Sequence, residues 1–206
     1  MSFIIKEEGG SRIPPVAEGS YPAVCVGLVD IGLQEQEFEG RKKVSRQVTI
    51  IWELVGETIE TSEGTLPRTI NKTYTASLHE RSGLRKDLKS WRGREFTPEE
   101  LKGFDLQNIL GAPCLLQIVH KNTANGTYAN IAAIMSLPKG MPRPVPTTVP
   151  TLFDIDADNA ESEFANLPEW LQKKVVDSPT WAERTAGKTA NFVEMLNNDD
   201  DGELPF

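Results

Sequence analysis

The residues best suited to binding chemistry are cations concentrated in one stretch of the chain. Between Arg68 and Arg94 the sequence has eight Lys or Arg and two Asp or Glu, a local charge of +6 in 27 residues. Cations that track phosphates and aromatic rings that stack on bases are the groups that hold single-stranded nucleic acid. The predicted nucleic-acid-binding residues are Arg46, Arg68, Lys72, Tyr74, Arg81, Arg85, Lys86, Lys89, Arg92 and Arg94.

Two parts of this set have a second interpretation that the sequence leaves open. Lys72 and Tyr74 are two residues apart on a predicted strand, so they share a face, where the ring can stack on a base or pack in the core. Arg85, Lys89 and Arg92 recur at helical spacing. A stripe of this kind is either a phosphate-binding surface or an ordinary solvated helix face.

No group of residues predicts catalysis. The sequence lacks the glycine-rich phosphate loops, the nucleophile elbow and the zinc-protease motif. Asp154, Asp156 and Asp158 alternate as metal ligands can, but the Gly and Glu that complete an EF-hand loop are missing. Cys25 and Cys114 lie in apolar runs that indicate small buried side chains. We therefore expect no enzyme activity, no cofactor and no metal.

The second chemical feature is the acidic end of the chain. Residues 1–146 have a net charge of +1 and residues 147–206 one of −9, so the overall −8 belongs to the C-terminal part. A flexible acidic segment can compete with nucleic acid for a cationic surface, and a terminal ring with its carboxylate can anchor on a partner protein. The predicted partner-binding residues are Asp199, Asp200, Asp201, Glu203, Leu204, Pro205 and Phe206.

The elements that position these residues are mostly strands. Apolar and alternating runs predict five strands, at 20–33, 44–55, 68–77, 113–120 and 127–137. A helix is predicted between an N-cap at Ser82 and a stop at Gly93, and a capping box from Thr97 to Glu100 begins a second. Within the first helix, Leu84, Leu88 and Trp91 form the predicted buried stripe.

This order of elements predicts the fold class. Three strands, a helix and two strands is the order of the OB-fold, a five-stranded Greek-key barrel. The prediction is an all-β protein, a β-barrel with short helices: a five-stranded OB-fold with a helix between strands 3 and 4, plus a partly disordered acidic C-terminal tail. Gly27, in the middle of the first strand, predicts a bulge or a sharp bend there.

The chain divides at a proline-rich stretch. Five prolines between Pro138 and Pro150 predict an extended linker. The predicted domains are an OB-fold single-stranded DNA-binding domain over 1–140, and a Pro-rich linker, short helices and acidic tail over 141–206. The short helices, beginning near Pro168 and Pro179, either dock on the barrel or float. With no membrane-spanning run and no secretory signal, we expect no membrane partner and a cytoplasmic location.

Two segments resemble known families. The last eight residues, Asp199 to Phe206, resemble the C-terminal tip of bacterial single-stranded DNA-binding proteins, with Gly202 and Glu203 inserted between the aspartates and the apolar end. The body, from Tyr21 to Gly140, resembles a phage-type OB-fold single-stranded DNA-binding family. The segments that carry this resemblance are 74–80, 84–94, Phe104-Asp105-Leu106 and Tyr128-Ala129-Asn130-Ile131.

The resemblance implies a function that agrees with the charge pattern. We expect non-catalytic, sequence-independent binding and protection of single-stranded DNA in phage replication or recombination, in the cytoplasm of the host cell. The acidic tail is expected to recruit replication or recombination proteins and to compete with DNA. The alternatives are a strand-annealing or recombination mediator on the same barrel, and a protein-interaction adaptor that binds no DNA. RNA binding stays open because stacking and charge do not read the 2′-hydroxyl.

Overall fold

The computed structural model describes residues 14–38, 40–61, 64–124 and 126–186 of the chain. Its strands are β1 (Gly19–Phe38), β2 (Arg41–Thr61), β3 (Gly64–Thr75), β4 (Pro113–Thr123), β5 (Gly126–Met135) and β6 (Thr151–Phe153). Its helices are α1 (Gly83–Arg92), α2 (Pro98–Lys102), α3 (Ala160–Phe164) and α4 (Glu169–Val176), with a 3-10 helix at Leu106–Ile109 and a helical stretch over 179–186. No helix in these ranges is long and apolar enough to cross a membrane.

Five strands form one antiparallel sheet in the order β3-β2-β1-β4-β5, and the sheet curls into a half-barrel. The protein is therefore mostly β with a few short helices, as predicted at that level. The register of β1 against β2 shifts between Cys25 and Gly27 and again between Asp30 and Gly32. The predicted irregularity at Gly27 is confirmed, and both shifts help to bend the long strand.

Helix α1 packs on the inner face of this sheet, between the two end strands β3 and β5. Its buried residues are Leu84, Leu88 and Trp91, as the helical stripe predicts. Trp91 packs against Trp52 of β2 with ring centroids 5.8 Å apart, and its indole N–H donates to the Pro113 carbonyl at 2.9 Å. This contact fixes the rotation of α1, and with it the direction in which the charged face of the helix points.

The C-terminal segment packs on the opposite face of β1. Strand β6 pairs in parallel with β1 at Gly27–Val29, and residues of α3 and α4 form a second small core with it. That core contains Val29, Ile31, Phe153, Ile155, Ala160, Leu167, Leu171 and Val175. The sequence left open whether the short helices dock on the barrel or float, and in the structure they are docked. The domain boundary at residue 140 stays a prediction.

Two local features hold this segment in place. Gly32 has φ of +71°, and a Cβ there would clash with the Ser178 hydroxyl, so the close approach requires glycine. The buried Glu53 carboxylate accepts hydrogen bonds from the backbone N–H groups of Thr147 at 2.9 Å and Thr148 at 2.7 Å. Burial raises the pKa of Glu53, but hydrogen bonds from the two threonines outweigh it and lower that pKa overall.

Candidate nucleic-acid interface

The amino-terminal end of α1 carries three of the predicted cations. Ser82 caps the helix by accepting a hydrogen bond from the Arg85 N–H at 3.1 Å, as predicted. Arg81 and Lys86 are exposed, and no carboxylate partner for either lies within the described residues. The Arg85 guanidinium donates to the Leu78 carbonyl, which is neutral, at 3.2 Å. We call Arg81, Arg85 and Lys86 the amino-end cluster.

The position of the amino-end cluster is electrostatically unfavourable for the helix itself. The first backbone N–H groups of a helix give its amino end a partial positive charge, which favours acidic side chains there. The first turn of α1 contains no acidic residue. The one carboxylate in α1, Asp87, bonds to Lys72 and Tyr74 of β3. Glu80, directly before Arg81, is the nearest acid in sequence, and it forms no ion pair with the cluster. No acid in the first turn offsets the cluster, and a phosphate bound beside it would relieve the repulsion.

The cations at the other end of α1 are paired with carboxylates, three cations with two acids. Lys89 forms an ion pair with Glu95, and Arg94 pairs with Glu100 at 2.8 Å. Glu100 also pairs with Arg92 and closes the capping box of α2 on Thr97, as predicted. Hydrogen bonds from Arg94, the Thr97 N–H and Arg92 lower the pKa of Glu100 to about 2. We call Lys89, Arg92 and Arg94 the paired cluster.

Arg92 has a structural role within the paired cluster. Its guanidinium lies 4.4 Å from the ring centroid of Phe96 and 5.0 Å from that of Phe104, and its side chain is only 13% exposed. The two rings themselves meet edge to face. Arg92 therefore joins α1 to the segment around α2 and presents little charge to a strand of nucleic acid.

The two residues predicted to share a face of β3 do so, but that face is the inner one. The Lys72 ammonium and the Tyr74 hydroxyl both donate to the same Asp87 oxygen, at 2.7 and 2.8 Å. Tyr74 is 6% exposed and belongs to the main core, and burial, followed by the nearby Asp87 charge, raises its pKa. Of the two interpretations of this ring, the structure has core packing, so Tyr74 is not placed to stack on a base.

Arg46 and Arg68 lie apart from α1 and differ from each other. The Arg46 guanidinium bonds to Asp30, lies 2.6 Å from Asp156 and 3.9 Å from Asp154. These carboxylates lie within 4.8 Å of one another, and the Arg46 guanidinium beside them offsets part of their negative charge. Arg68 donates to the neutral Pro14 carbonyl and forms no ion pair with a described carboxylate.

The ten predicted residues therefore separate into distinct groups. Five cations bond to carboxylates: Arg46, Lys72, Lys89, Arg92 and Arg94. Within the part of the chain that the structure describes, four have no carboxylate partner, namely Arg68 and the amino-end cluster. The remaining residue, Tyr74, is in the core. The predicted tail residues, Asp199 to Phe206, lie outside the described residues.

An exposed ring on β5 was not among the predicted site residues. Tyr128 of β5 is 49% exposed, and its Cα partner on β4 is Lys121. The sequence contained a signal for this exposure. Side chains alternate along a strand, so Tyr128 shares a face with the polar Asn130 and lies on the face opposite the buried Ile131. Cys25 and Cys114 are buried, and burial raises the pKa of the Cys25 thiol to about 12, so it stays protonated.

No protein-family model matches this chain, and no curated protein matches it either. The arrangement of cations, carboxylates and exposed rings described above therefore provides the basis for a functional proposal.

Proposed function

We propose that this chain binds single-stranded DNA without catalysis and without reading its sequence, and that the amino-end cluster holds the phosphates. The observation that carries the proposal is the set of three cations at a helix amino end that has no acid in its first turn. Arg85 has a contact within the fold, through the Leu78 carbonyl. Arg81 and Lys86, however, have no carboxylate partner among the described residues and oppose the helix dipole, so their charge is better explained by a bound anion. Contacts of Lys and Arg to phosphates carry no sequence information, which accounts for sequence-independent binding.

The topology supports the same function. The sheet order β3-β2-β1-β4-β5 and the position of α1 between β3 and β4 support an OB barrel that is open between its third and fifth strands. We propose this as the fold. OB barrels commonly bind oligonucleotides in an extended, single-stranded form, so the topology favours single strands over duplex DNA.

The test compares two double variants that remove the same net charge. Fluorescence anisotropy would measure the binding of single-stranded DNA, duplex DNA and RNA oligomers at several salt concentrations. Arg81→Ala with Lys86→Ala removes the two exposed cations of the amino-end cluster and should flatten the slope of log K against log salt by about 1.4, at about 0.7 per phosphate contact. Lys89→Ala with Arg94→Ala, the matched control in the paired cluster, should change the slope little.

Three results would overturn the proposal. Equal affinity for duplex and single strand would remove the single-strand preference, and a salt-independent affinity would remove the phosphate contacts. No binding of any oligomer would favour the protein-interaction adaptor. Accelerated pairing of complementary strands by the wild-type protein would instead assign the annealing role to the same site.

We also propose that the acidic tail recruits replication or recombination proteins and competes with DNA in a phage-type replication module. The support is the charge of residues 199–206, which is −4, together with the apolar residues Leu204, Pro205 and Phe206 that follow the acids. Deletion of residues 199–206 should raise affinity for single-stranded DNA at low salt, because tethered carboxylates no longer occupy the cationic surface. Deletion of Phe206 alone should abolish capture of replication proteins while leaving DNA affinity unchanged.

A further inference from the structure

Few aromatic rings are exposed among the residues that the structure describes. In the ranges that the structure describes, Tyr128 on β5 and Trp170 on α4 are the aromatic residues exposed by more than a third, at 49% and 40%. The Lys174 ammonium lies 5.3 Å from the Trp170 ring centroid and covers part of that ring. Tyr128 is the more exposed of the two.

Tyr128 lies on a sheet face that combines aromatic, cationic, amide and apolar side chains. In the antiparallel register of β4 and β5, Lys121 is opposite Tyr128 and Val119 is opposite Asn130, and paired residues share a face. All four are exposed, Val119 by 37%. Core residues Ile118 and Ile131, paired with each other, point to the opposite face. We call Val119, Lys121, Tyr128 and Asn130 the hairpin platform.

The hairpin platform has the groups that a single strand requires. A tyrosine ring offers a surface for one base, an ammonium on the neighbouring strand can pair with a phosphate, and an amide can bond to a base edge. Neither β4 nor β5 contains an Asp or Glu, so no acid on these strands offsets Lys121. A nearby carboxylate, that of Glu18, accepts a hydrogen bond from the His120 backbone N–H on the other edge of β4.

We propose that the hairpin platform is a base-stacking subsite for a single strand, with Tyr128 as the stacking ring and Lys121 as the phosphate contact. The subsite rests on the proposed DNA-binding function and gives that function the aromatic contact which the buried Tyr74 does not provide. It lies on different elements from the amino-end cluster, so the two contacts can be removed independently.

The test separates bases from phosphates by comparing an oligothymidylate with an abasic oligomer of the same length. Tyr128→Ala should weaken binding of the oligothymidylate about 5- to 150-fold and leave binding of the abasic oligomer unchanged, because only the stacked base is lost. Tyr128→Phe keeps the ring and should bind both oligomers as the wild type does. Lys121→Ala should weaken both and flatten the salt slope by about 0.7.

Trp170→Ala is the matched control, since it removes the other exposed ring, and it should leave both affinities unchanged. Circular dichroism and thermal melts would confirm that each variant is folded. If the wild type binds the oligothymidylate and folded Tyr128→Ala binds it equally well, the subsite is wrong while the proposed function stands. If Tyr128→Phe is as weak as Tyr128→Ala, the hydroxyl matters and stacking is wrong. If the wild type binds neither oligomer, the proposed function fails, and the subsite fails with it.

Discussion

The two ends of α1 carry the same kind of side chain and use it in opposite ways. At the amino end, Arg81 and Lys86 have no carboxylate partner within the described residues, whereas at the carboxyl end Lys89 pairs with Glu95 and Arg92 with Glu100. Net charge counted along the sequence treats both ends alike. The structure distinguishes them because Glu95 and Glu100 follow Arg94, directly after the basic stretch, and fold back onto it.

The helix dipole gives this difference a physical meaning. Cations near the carboxyl end of a helix are favoured by its partial negative charge, so Lys89 and Arg92 contribute to folding even before their ion pairs are counted. Cations near the amino end oppose folding. We therefore expect the paired cluster to contribute to stability and the amino-end cluster to contribute to binding, and each of the following predictions tests that division.

The largest expected effect is a loss of stability from a change on the buried face of α1. Neither cluster lies on that face. Leu88 is 1% exposed in the main core, so Leu88→Ala should lower the free energy of unfolding by about 2–5 kcal/mol. Urea denaturation would measure this. Affinity for single-stranded DNA, corrected to the folded fraction, should be unchanged, and a loss of affinity in the folded protein would show that the division between faces is wrong.

A smaller loss of stability is expected at Tyr74. Tyr74→Phe removes the hydroxyl that donates to Asp87, a hydrogen bond to a charged group, and should cost about 2 kcal/mol in urea denaturation. Tyr74→Leu also removes the ring, and DNA affinity per folded molecule should still equal that of the wild type. A large loss of DNA affinity in folded Tyr74→Leu would mean that the Tyr74 ring contacts DNA, and it would contradict the assignment of this ring to the core.

Arg92 and Arg81 provide the most direct contrast between the two clusters. Arg92→Ala leaves Glu100 with one fewer partner and removes the contact with Phe96 and Phe104, so it should lower the melting temperature without changing the salt slope of DNA binding. Arg81→Ala should leave the melting temperature unchanged and flatten that slope by about 0.7. Thermal melts and anisotropy titrations on both variants would decide. Equal slopes in the two variants would mean that the clusters do not differ in function.

Local signals in the sequence predicted the elements well, and pairing between distant residues limited the prediction of the site. Capping at Ser82 and Thr97 and the buried stripe through Leu88 depend on neighbours within a few residues, and all are confirmed. The neutralisation of Arg46 by Asp156 joins residues 110 positions apart. No local pattern contains such a contact.

The docking of the C-terminal segment was similarly beyond the sequence pattern. Its apolar residues are compatible with both a free helix and a docked one, and the decision depends on space at Gly32 and on an acceptor at Glu53. The side of β3 on which Tyr74 lies follows from its pairing with Val48, whose side chain is in the core. Because side chains alternate along a strand, the pairing of Tyr74 with Val48 determines which residues of β3 face the core.

The smallest expected effect is a pH dependence within the paired cluster. Glu100 has its pKa lowered from the ordinary value of 4.5 to about 2 by hydrogen bonds from Arg94, the Thr97 N–H and Arg92. A carboxylate whose pKa is lower in the folded state stabilises the fold above its unfolded pKa, and this contribution is lost as the pH falls. The stabilisation should therefore be complete above pH 4.5 and disappear towards pH 2.

Glu100→Gln isolates this charge, because glutamine can keep the capping bond to Thr97 that glutamate makes. In urea denaturation the wild type should be more stable than Glu100→Gln at pH 6, and the difference should shrink between pH 4.5 and 2 and then vanish. The difference should be small and should decrease with added salt, since the pairs are partly exposed. A difference that is constant from pH 6 to 2 would mean that Glu100 is not held by Arg92 and Arg94, and the carboxyl end of α1 would then be as free to bind phosphate as the amino end.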